Sequence, residues 1–313
     1  MSTEKRNENF MLKQSRYSKG KKNVKQYSKN NVSKKSGSGK NSYNAYYKKN
    51  DDGFQPKSNG KSNYGKKKYS SKSKGYPKKN AQKPSIKIAF LGGLNEIGKN
   101  ITLVECENDI IIIDCGMAFP DGDMLGVDLV IPDFTYIEQN ADRVKGIILT
   151  HGHEDHIGGL PFLLSKVNVP IYGTPLTLGL VGNKLKEHSL YNQSQLNVIN
   201  AGQSIKLGCM KIDFIHVNHS IPDAVAFAIH TPGGTIVHTG DFKIDCTPIT
   251  GDMIDLSSFA RVGDEGVLAL LSESTNAERP GFAPSERKVG ATLDDIFMKN
   301  KDYRIVIATF SSN

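Results

Sequence analysis

Tryptophan is absent from this chain of 313 residues, cysteine occurs only four times, and acidic residues are scarce in its first quarter. Each shortage excludes something. Cys106, Cys115, Cys209 and Cys246 form no Cys-x-x-Cys pair, so neither a zinc knuckle nor a dithiol redox motif is present. Cys115 and Cys209 lie beside apolar, strand-like stretches, where a buried reduced thiol is expected. No run of about 18 apolar residues occurs, so no membrane-spanning helix and no membrane partner is expected. Residues 1–30 are polar and lack the apolar run of about seven that a signal peptide needs, which makes the cytoplasm the expected compartment.

Charge is divided unevenly. Residues 1–84 carry 24 Lys or Arg against four Asp or Glu, a balance of +20, which leaves −11 for the remainder of a chain whose total is +9. Residues 1–83 are built from Lys, Ser, Asn, Gly and Tyr with almost no aliphatic side chains. They cannot bury enough apolar surface to offset the entropy of ordering, so a disordered tail is expected. Eight of the twelve tyrosines lie there, interleaved with lysines. Two readings stand side by side: a solvated, flexible leader, or an arm in which Lys pairs with phosphate and Tyr stacks on unpaired bases.

Ordered structure is expected from about Pro84. Short β-branched runs at 86–91, 101–104, 110–113 and 144–149 predict strands, followed by a helix over 158–167 and a strand at 169–172. Helical spacing recurs over 176–188. Further strands are predicted at 197–199, 211–217, 224–229 and 235–239, the last two joined by a turn at Pro232-Gly233-Gly234. A strand at 267–271, a helix at 285–298 and a strand at 304–308 complete the pattern. The whole reads as a layered α/β domain with helices covering sheets. Because the sequence stops just after an apolar strand-like run, it reads as the amino-terminal part of a longer enzyme.

The stretch Gly93-Leu94-Asn95-Glu96-Ile97-Gly98-Lys99 has the spacing of a nucleotide-binding loop. Asn100 stands where that motif wants Ser or Thr, and residues 101–104 read as a strand rather than a helix. A tight turn between two strands fits better.

Chemistry concentrates in Thr150-His151-Gly152-His153-Glu154-Asp155-His156, which holds three of the eight histidines. Burying so many polar groups without partners costs several kcal/mol each, ~2–7 kcal/mol on transfer scales, so a core role is disfavoured. His151 and His153, two apart in an extended loop, can aim at one ion, and Asp155 and His156 at a second. Imidazole with carboxylate suits zinc, with manganese or iron as alternatives. His219 and Asp241, each just past a predicted strand, are further candidate ligands. His216 sits inside the strand pattern and reads as structural. Asp114, ending the strand at 110–113, is a candidate carboxylate for orienting a ligand from behind.

The pattern His-x-His-x-Asp-His at 151–156, with His219 and Asp241 later, resembles the metallo-β-lactamase fold family of dinuclear hydrolases. The stretches Leu91 to Asn100, His219-Ser220-Ile221-Pro222-Asp223 and Ser272 to Gly281 narrow the resemblance to the RNase J group of β-CASP ribonucleases, over roughly residues 85–313. That resemblance implies a metallo-β-lactamase-type αββα sandwich over 84–284, incomplete, and the start of a β-CASP domain over 285–313. It implies that His151, His153 and His219 hold one metal and Asp155 and His156 the other, with Asp241 bridging. Two Zn2+ per complete subunit are implied, with Mn2+ as the alternative. Glu273 matches an acidic residue of the first β-CASP motif, where Asp is usual. Phe310, Ser311 and Ser312 match a segment that lines the substrate phosphate. The family takes a further metal-binding histidine from a late segment that this sequence does not contain. Implied, too, are cleavage of RNA internally and from the 5′ end in RNA decay and rRNA maturation, a homodimer or higher homo-oligomer, and RNA-decay proteins as partners. Asp155 is the carboxylate expected to handle the proton. Rival readings are a hydrolase of the same fold acting on a thioester, lactam or DNA, and a catalytically idle RNA-binding protein.

Overall fold

The first three strands show how the sequence makes layers. In the computed structural model, which describes residues 83–309, β1 (Ile86–Gly92), β2 (Ile101–Cys106) and β3 (Asp109–Ile113) form an antiparallel meander. Alternate residues of the last two face opposite ways. Leu103, Ile110 and Ile112 enter one core and Val104, Ile111 and Ile113 another, all essentially inaccessible to water. A strand buried on both faces is a continuous apolar run, as Ile110 to Ile113 is.

The chain continues through α1 (Thr135–Gln139), β4 (Val144–Ile148), α2 (Glu154–Ile157), α3 (Leu160–Leu164), β5 (Ile171–Gly173), α4 (Pro175–Glu187) and β6 (Leu196–Val198). Strands β3 to β6 pair in parallel and complete a six-stranded sheet in sequence order. Next come β7 (Ser204–Leu207), β8 (Met210–His216), β9 (Val225–Thr231), β10 (Gly234–His238), α5 (Leu256–Glu265), β11 (Ala269–Leu271) and α6 (Glu286–Lys299). These strands form a second sheet, ordered β11-β10-β9-β8-β7, antiparallel except for the β10–β11 pair.

Three apolar cores separate four layers. Helices α1, α3 and α4 cover the outer face of the first sheet with Ile137, Leu163, Val181 and Leu185. Phe214, Phe227, Ile229 and Ile236 fill the space between the sheets against Ile111 and Ile148. Outside the second sheet, Ala226 and Ala228 of β9 leave room for Val262 and Phe259 of α5. Each fully buried Ile or Phe contributes ~1.5–3 kcal/mol. The expected α/β sandwich is the fold observed.

Most predicted elements are present within a residue or two, and Pro232-Gly233 closes the β9–β10 hairpin. Four points differ. The helix predicted over 158–167 is the shorter α3, which starts only after Gly158-Gly159; these separate it from α2, and both press against the 115–117 segment. A Cβ on Gly158 would lie 2.4 Å from Met117 Cγ, and one on Gly159 would lie 2.6 Å from Gly116 O. The strand predicted over 304–308 is irregular, with Val306 and Ile307 exposed, since no described strand runs beside it to share a ladder. Helices α1 and α5 and strand β7 were not anticipated. Cys209 is only half-buried, unlike fully buried Cys115, although burial and its neighbour Cys106 push its thiol up to about 12. The basic stretch 1–82 and the triplet Phe310, Ser311 and Ser312 lie outside the described residues. Among those described, no helix is long and apolar enough to cross a membrane.

Candidate metal centre

Four strand ends meet at one rim of the sandwich. Asp114 follows β3, the 149–153 loop follows β4 and runs into α2, His219 lies past β8, and Asp241 lies past β10. Asp114 adopts the left-handed conformation, φ +59°, uncommon for a residue with a Cβ. Its carboxylate is buried and accepts three hydrogen bonds, each of 2.8 Å, from Thr150 N, Thr150 Oγ1 and His156 Nδ1.

Those bonds fix the neighbouring tautomers, because a carboxylate only accepts. Nδ1 of His156 carries its proton toward Asp114, leaving Nε2 as the nitrogen that turns inward. The Thr150 hydroxyl proton is committed to Asp114, so its oxygen accepts from His151 Nδ1 at 3.0 Å. His151 presents Nε2 as a lone pair. The arrangement is that of ligands held from behind by hydrogen-bond acceptors.

Two groups of donor atoms result, each with all members within 4.8 Å of one another: His151, His153 and His219, and His151, His156 and Asp241. Within the first, Nδ1 of His153 lies 3.0 Å from His151 Nε2 and 3.2 Å from His219 Nε2. Asp241 faces both, with Oδ1 at 3.5 Å from His156 Nε2 and Oδ2 at 3.7 Å from His219 Nε2. Asp155 Oδ2 is 3.5 Å from His156 Nε2, at the edge of the second group. Lone pairs aimed at one another repel, so a converging imidazole set is stable only around a proton or a cation. The donors fit divalent ions of the zinc or manganese type.

Electrostatics agree. Burial, reinforced by the neighbouring imidazoles, holds His151 well below its ordinary pKa, and burial pushes His219 down to about 4. Both are neutral, as a ligand must be. Burial opposes ionisation of Asp155 and Asp241, yet His156 outweighs it and holds both carboxyls below their usual range. For His156 burial disfavours the charged form, but Asp114, Asp155 and Asp241 prevail and raise its pKa well above normal. A field that favours an imidazolium favours any cation at the same place.

Backbone contacts lock α2 beneath the ligands. Asn100 N donates to Asp155 O at 3.0 Å, Cys115 N to His156 O at 2.8 Å and Met117 N to Glu154 O at 3.2 Å. Only glycine fits at 116, since a Cβ there would stand 1.6 Å from Asp155 O. Gly240, at φ +57°, leads the chain from β10 past Thr150 to Asp241.

The six predicted ligands and Asp114 are thus brought together. His216 is not among them; its Nε2 meets Asp252 O at 3.0 Å on the far side of the strand. Glu273 is half-buried, its backbone N donating to Thr239 Oγ1 at 3.2 Å and its Oε2 accepting from Thr275 N at 2.8 Å. It lines a cavity of about 580 Å3 shared with Asp155, His156 and Asp241. Two residues of this cavity were not singled out from the sequence. One is His238, whose Nδ1 accepts from Gly240 N. The other is Asn100, read only as the residue that spoils a nucleotide loop, whose amide reaches both Asp155 and His156. A ligand-rich loop within one turn of sequence is visible by eye; a partner 55 residues away is not.

Comparison with known proteins agrees with this geometry. The model of the metallo-beta-lactamase superfamily matches residues 94–288. Ribonuclease J 1 of Streptococcus pyogenes is 49% identical over 228 residues, covering 73% of this chain and 40% of that protein. Ribonuclease J2 of Bacillus subtilis is 46% identical over 236 residues, covering 75% of this chain and 42% of that protein. The chain therefore spans about two fifths of the length of these curated relatives. A solved structure of a protein of unknown function from Enterococcus faecalis shares the fold, with a TM-score of 0.53 at 17% identity over 69% of this chain and 58% of that one. With its two sheets, its rim of ligands and its matched span, the chain belongs to the metallo-beta-lactamase superfamily.

Proposed function

We propose that this chain carries the metal-holding part of a ribonuclease that hydrolyses RNA phosphodiester bonds at a two-ion centre. The observation that carries the reading is the convergence of His151, His153, His156, His219 and Asp241 within two overlapping donor groups. Relatives named ribonuclease J supply the substrate class. In this reading His151, His153 and His219 hold one ion, Asp155 and His156 the other, and Asp241 faces both. Zinc is the preferred ion and manganese the alternative.

Bound at such a pair of sites, divalent ions supply a water of lowered pKa and positive charge against the phosphate oxygens. The chain's own residues do the rest. Asp114 and Thr150 keep the lone pairs of His156 and His151 turned inward. Asp155, the most accessible carboxylate of the group, takes up and returns the proton. Glu273 and its neighbours over 272–275 line the same cavity as the ligands; Phe310, Ser311 and Ser312, outside the described residues, are assigned to the substrate phosphate on the family resemblance. Residues 84–284 are the metal-holding domain, and 285–313 open a second, substrate-covering domain whose α6 is tied to the first. Asp245 Oδ2 accepts from Glu286 N at 3.1 Å, and Lys243 pairs with Glu286. Residues 1–83 serve as a basic RNA-contacting tail, and the full-length protein works as a homo-oligomer.

The test is elemental analysis of the purified chain together with cleavage of end-labelled RNA by the longer protein that contains it. Two ions per chain and loss of cleavage in the His153→Ala, Asp155→Ala variant are expected. Undiminished cleavage by that variant, with its fold intact, rejects the assignment.

A further inference from the structure

One side chain inside the cavity does work that the ligand set alone does not explain. Asn100 ends the turn between β1 and β2, and its Nδ2 lies 3.1 Å from His156 Nε2, 3.1 Å from Asp155 O and 3.3 Å from Asp155 Oδ2. His156 donates its Nδ1 proton to Asp114, so Nε2 is the ring atom turned toward Asn100, and the bond to Asp155 O makes the amide nitrogen the donor there. The amide is oriented, not free to flip. Its oxygen lies on the Gly93 side, where a Cβ would come within 2.4 Å of Oδ1, and Asp155 O on the other side demands a donor.

The turn that delivers Asn100 is stiff. Gly93, Asn95, Gly98 and Lys99 all have positive φ, Lys99 N donates to Met117 O at 3.0 Å, and Asn100 itself is held at both backbone atoms. The glycine-rich spacing that imitates a nucleotide loop is thus the spacing needed to place one amide against α2.

Resting on the two-ion reading above, we propose that Asn100 is a positioning residue for the second ion. Its amide holds the Asp155 backbone and carboxylate, and the inward edge of the His156 ring, at the converged positions in which they would receive a cation. The chemistry suits the task. A neutral donor satisfies a ligand lone pair without bringing a positive charge to compete with the cation, as Lys or Arg would. The hydrogen bonds of the Asn100 side chain among the described residues go to Asp155 and His156, on the side of the second group.

That asymmetry makes the experiment selective. The metal-free chain is titrated with Zn2+ by calorimetry and with Co2+ by visible absorption, in the wild type and in Asn100→Leu and Asn100→Ala. Asn100→Leu keeps the branched four-atom skeleton and both backbone bonds while removing the donor. Partners that orient ligands are worth ~10–100-fold in metal affinity, so the second ion should bind ~10–100-fold more weakly and its Co2+ band should shift, with the first ion unchanged. First-ion binding is the internal control that the variant is folded. Two ions bound by the variants with wild-type affinity, or equal weakening of both sites, overturns the assignment to Asn100. A wild-type chain that takes up fewer than two ions overturns the two-ion reading itself, and the role of Asn100 with it.

Discussion

Replacing Asp114 with Asn is a perturbation whose consequences can be followed atom by atom. Asn tolerates the left-handed backbone at this position and nearly matches Asp in volume, so neither strain nor a cavity is introduced. If the Asn oxygen keeps the bond from Thr150 N, an NH2 group replaces the oxygen that accepted from Thr150 Oγ1 and His156 Nδ1. Thr150 can rotate its proton away and still accept from His151, so His151 keeps its Nε2 lone pair. His156 has no such freedom: its Nδ1 must now accept, which moves the ring proton to Nε2, the atom that faces Asp241. An ion can then bind only by forcing that proton back and leaving the new NH2 donor unpaired. Leaving a buried donor unmade costs ~1–3 kcal/mol, or about 5–150-fold in affinity.

The predicted signature is therefore narrow. Titration with Zn2+ against a chromophoric chelator should show the second ion weakened ~5–150-fold and the first within about twofold. Nitrogen-15 spectra of the metal-free variant should show the His156 ring proton on Nε2 with Nδ1 bare, and the tautomer of His151 retained. Urea unfolding should fall by ~1.5–3 kcal/mol per lost bond to the charged carboxylate. An Asp114→Asn chain with wild-type affinity at both sites and an unaltered His156 tautomer refutes the reasoning.

Two further outcomes test the scaffold. Gly116→Ala places a methyl 1.6 Å from Asp155 O, a backbone atom that cannot swing away, and should cost more than ~4 kcal/mol or prevent folding; a chain melting within a few degrees of wild type contradicts the packing described. Glu105 is held down to about 2, first by its bond from Lys87, against the cost of burial, and then by Arg143 and Tyr136. Because the folded pKa is depressed, this carboxylate stabilises the fold above about 4.5, its unperturbed value, and the stabilisation is lost as pH falls from there toward about 2. Lys87 is largely exposed, so solvent screening leaves only part of this stabilisation. Unfolding midpoints of Glu105→Gln measured at pH 7 and pH 3 should differ less than those of the wild type, and equal differences refute the assignment.

How much of this was legible in the sequence depends on how far apart the cooperating residues lie. The ligands at 151–156 announce themselves because scarce residue types crowd into one loop. The double-faced burial of Ile110 to Ile113 is equally local, since an unbroken β-branched run has no polar face to offer water. Helix α5 was illegible for the opposite reason. Of its few apolar residues only Phe259 and Val262 pack on the sheet, and their hold depends on Ala226 and Ala228 of a distant strand being small. Residues 304–308 have a strand's composition, yet composition does not supply a neighbour to pair with, and the pattern misled. Asn100 and Gly116 were invisible as site residues because each acts through the distant helix α2, Gly116 against Asp155 and Asn100 against Asp155 and His156.

The stretch His219-Ser220-Ile221-Pro222-Asp223 shows why a run of residues says more than a lone histidine. Ile221 is buried, and it stands 3.3 Å from where a Cβ on Gly152 would lie, so it packs on the ligand loop itself. Asp223, at φ +63°, accepts from Leu176 N at 3.3 Å with its Oδ2, at the amino end of α4 where a negative charge is favoured. His219 is thereby anchored on its carboxyl side to two elements of the first sheet's layer, although it issues from a strand of the second. Preceding it, Asn218 donates to Asp252 O and accepts from Ile254 N, both at 2.8 Å, which fixes the other side. An imidazole between two such anchors has little freedom to turn away from His153. The ligand is one residue; the precision with which it meets His153, 66 positions earlier, is the work of Asn218, Ile221 and Asp223 around it.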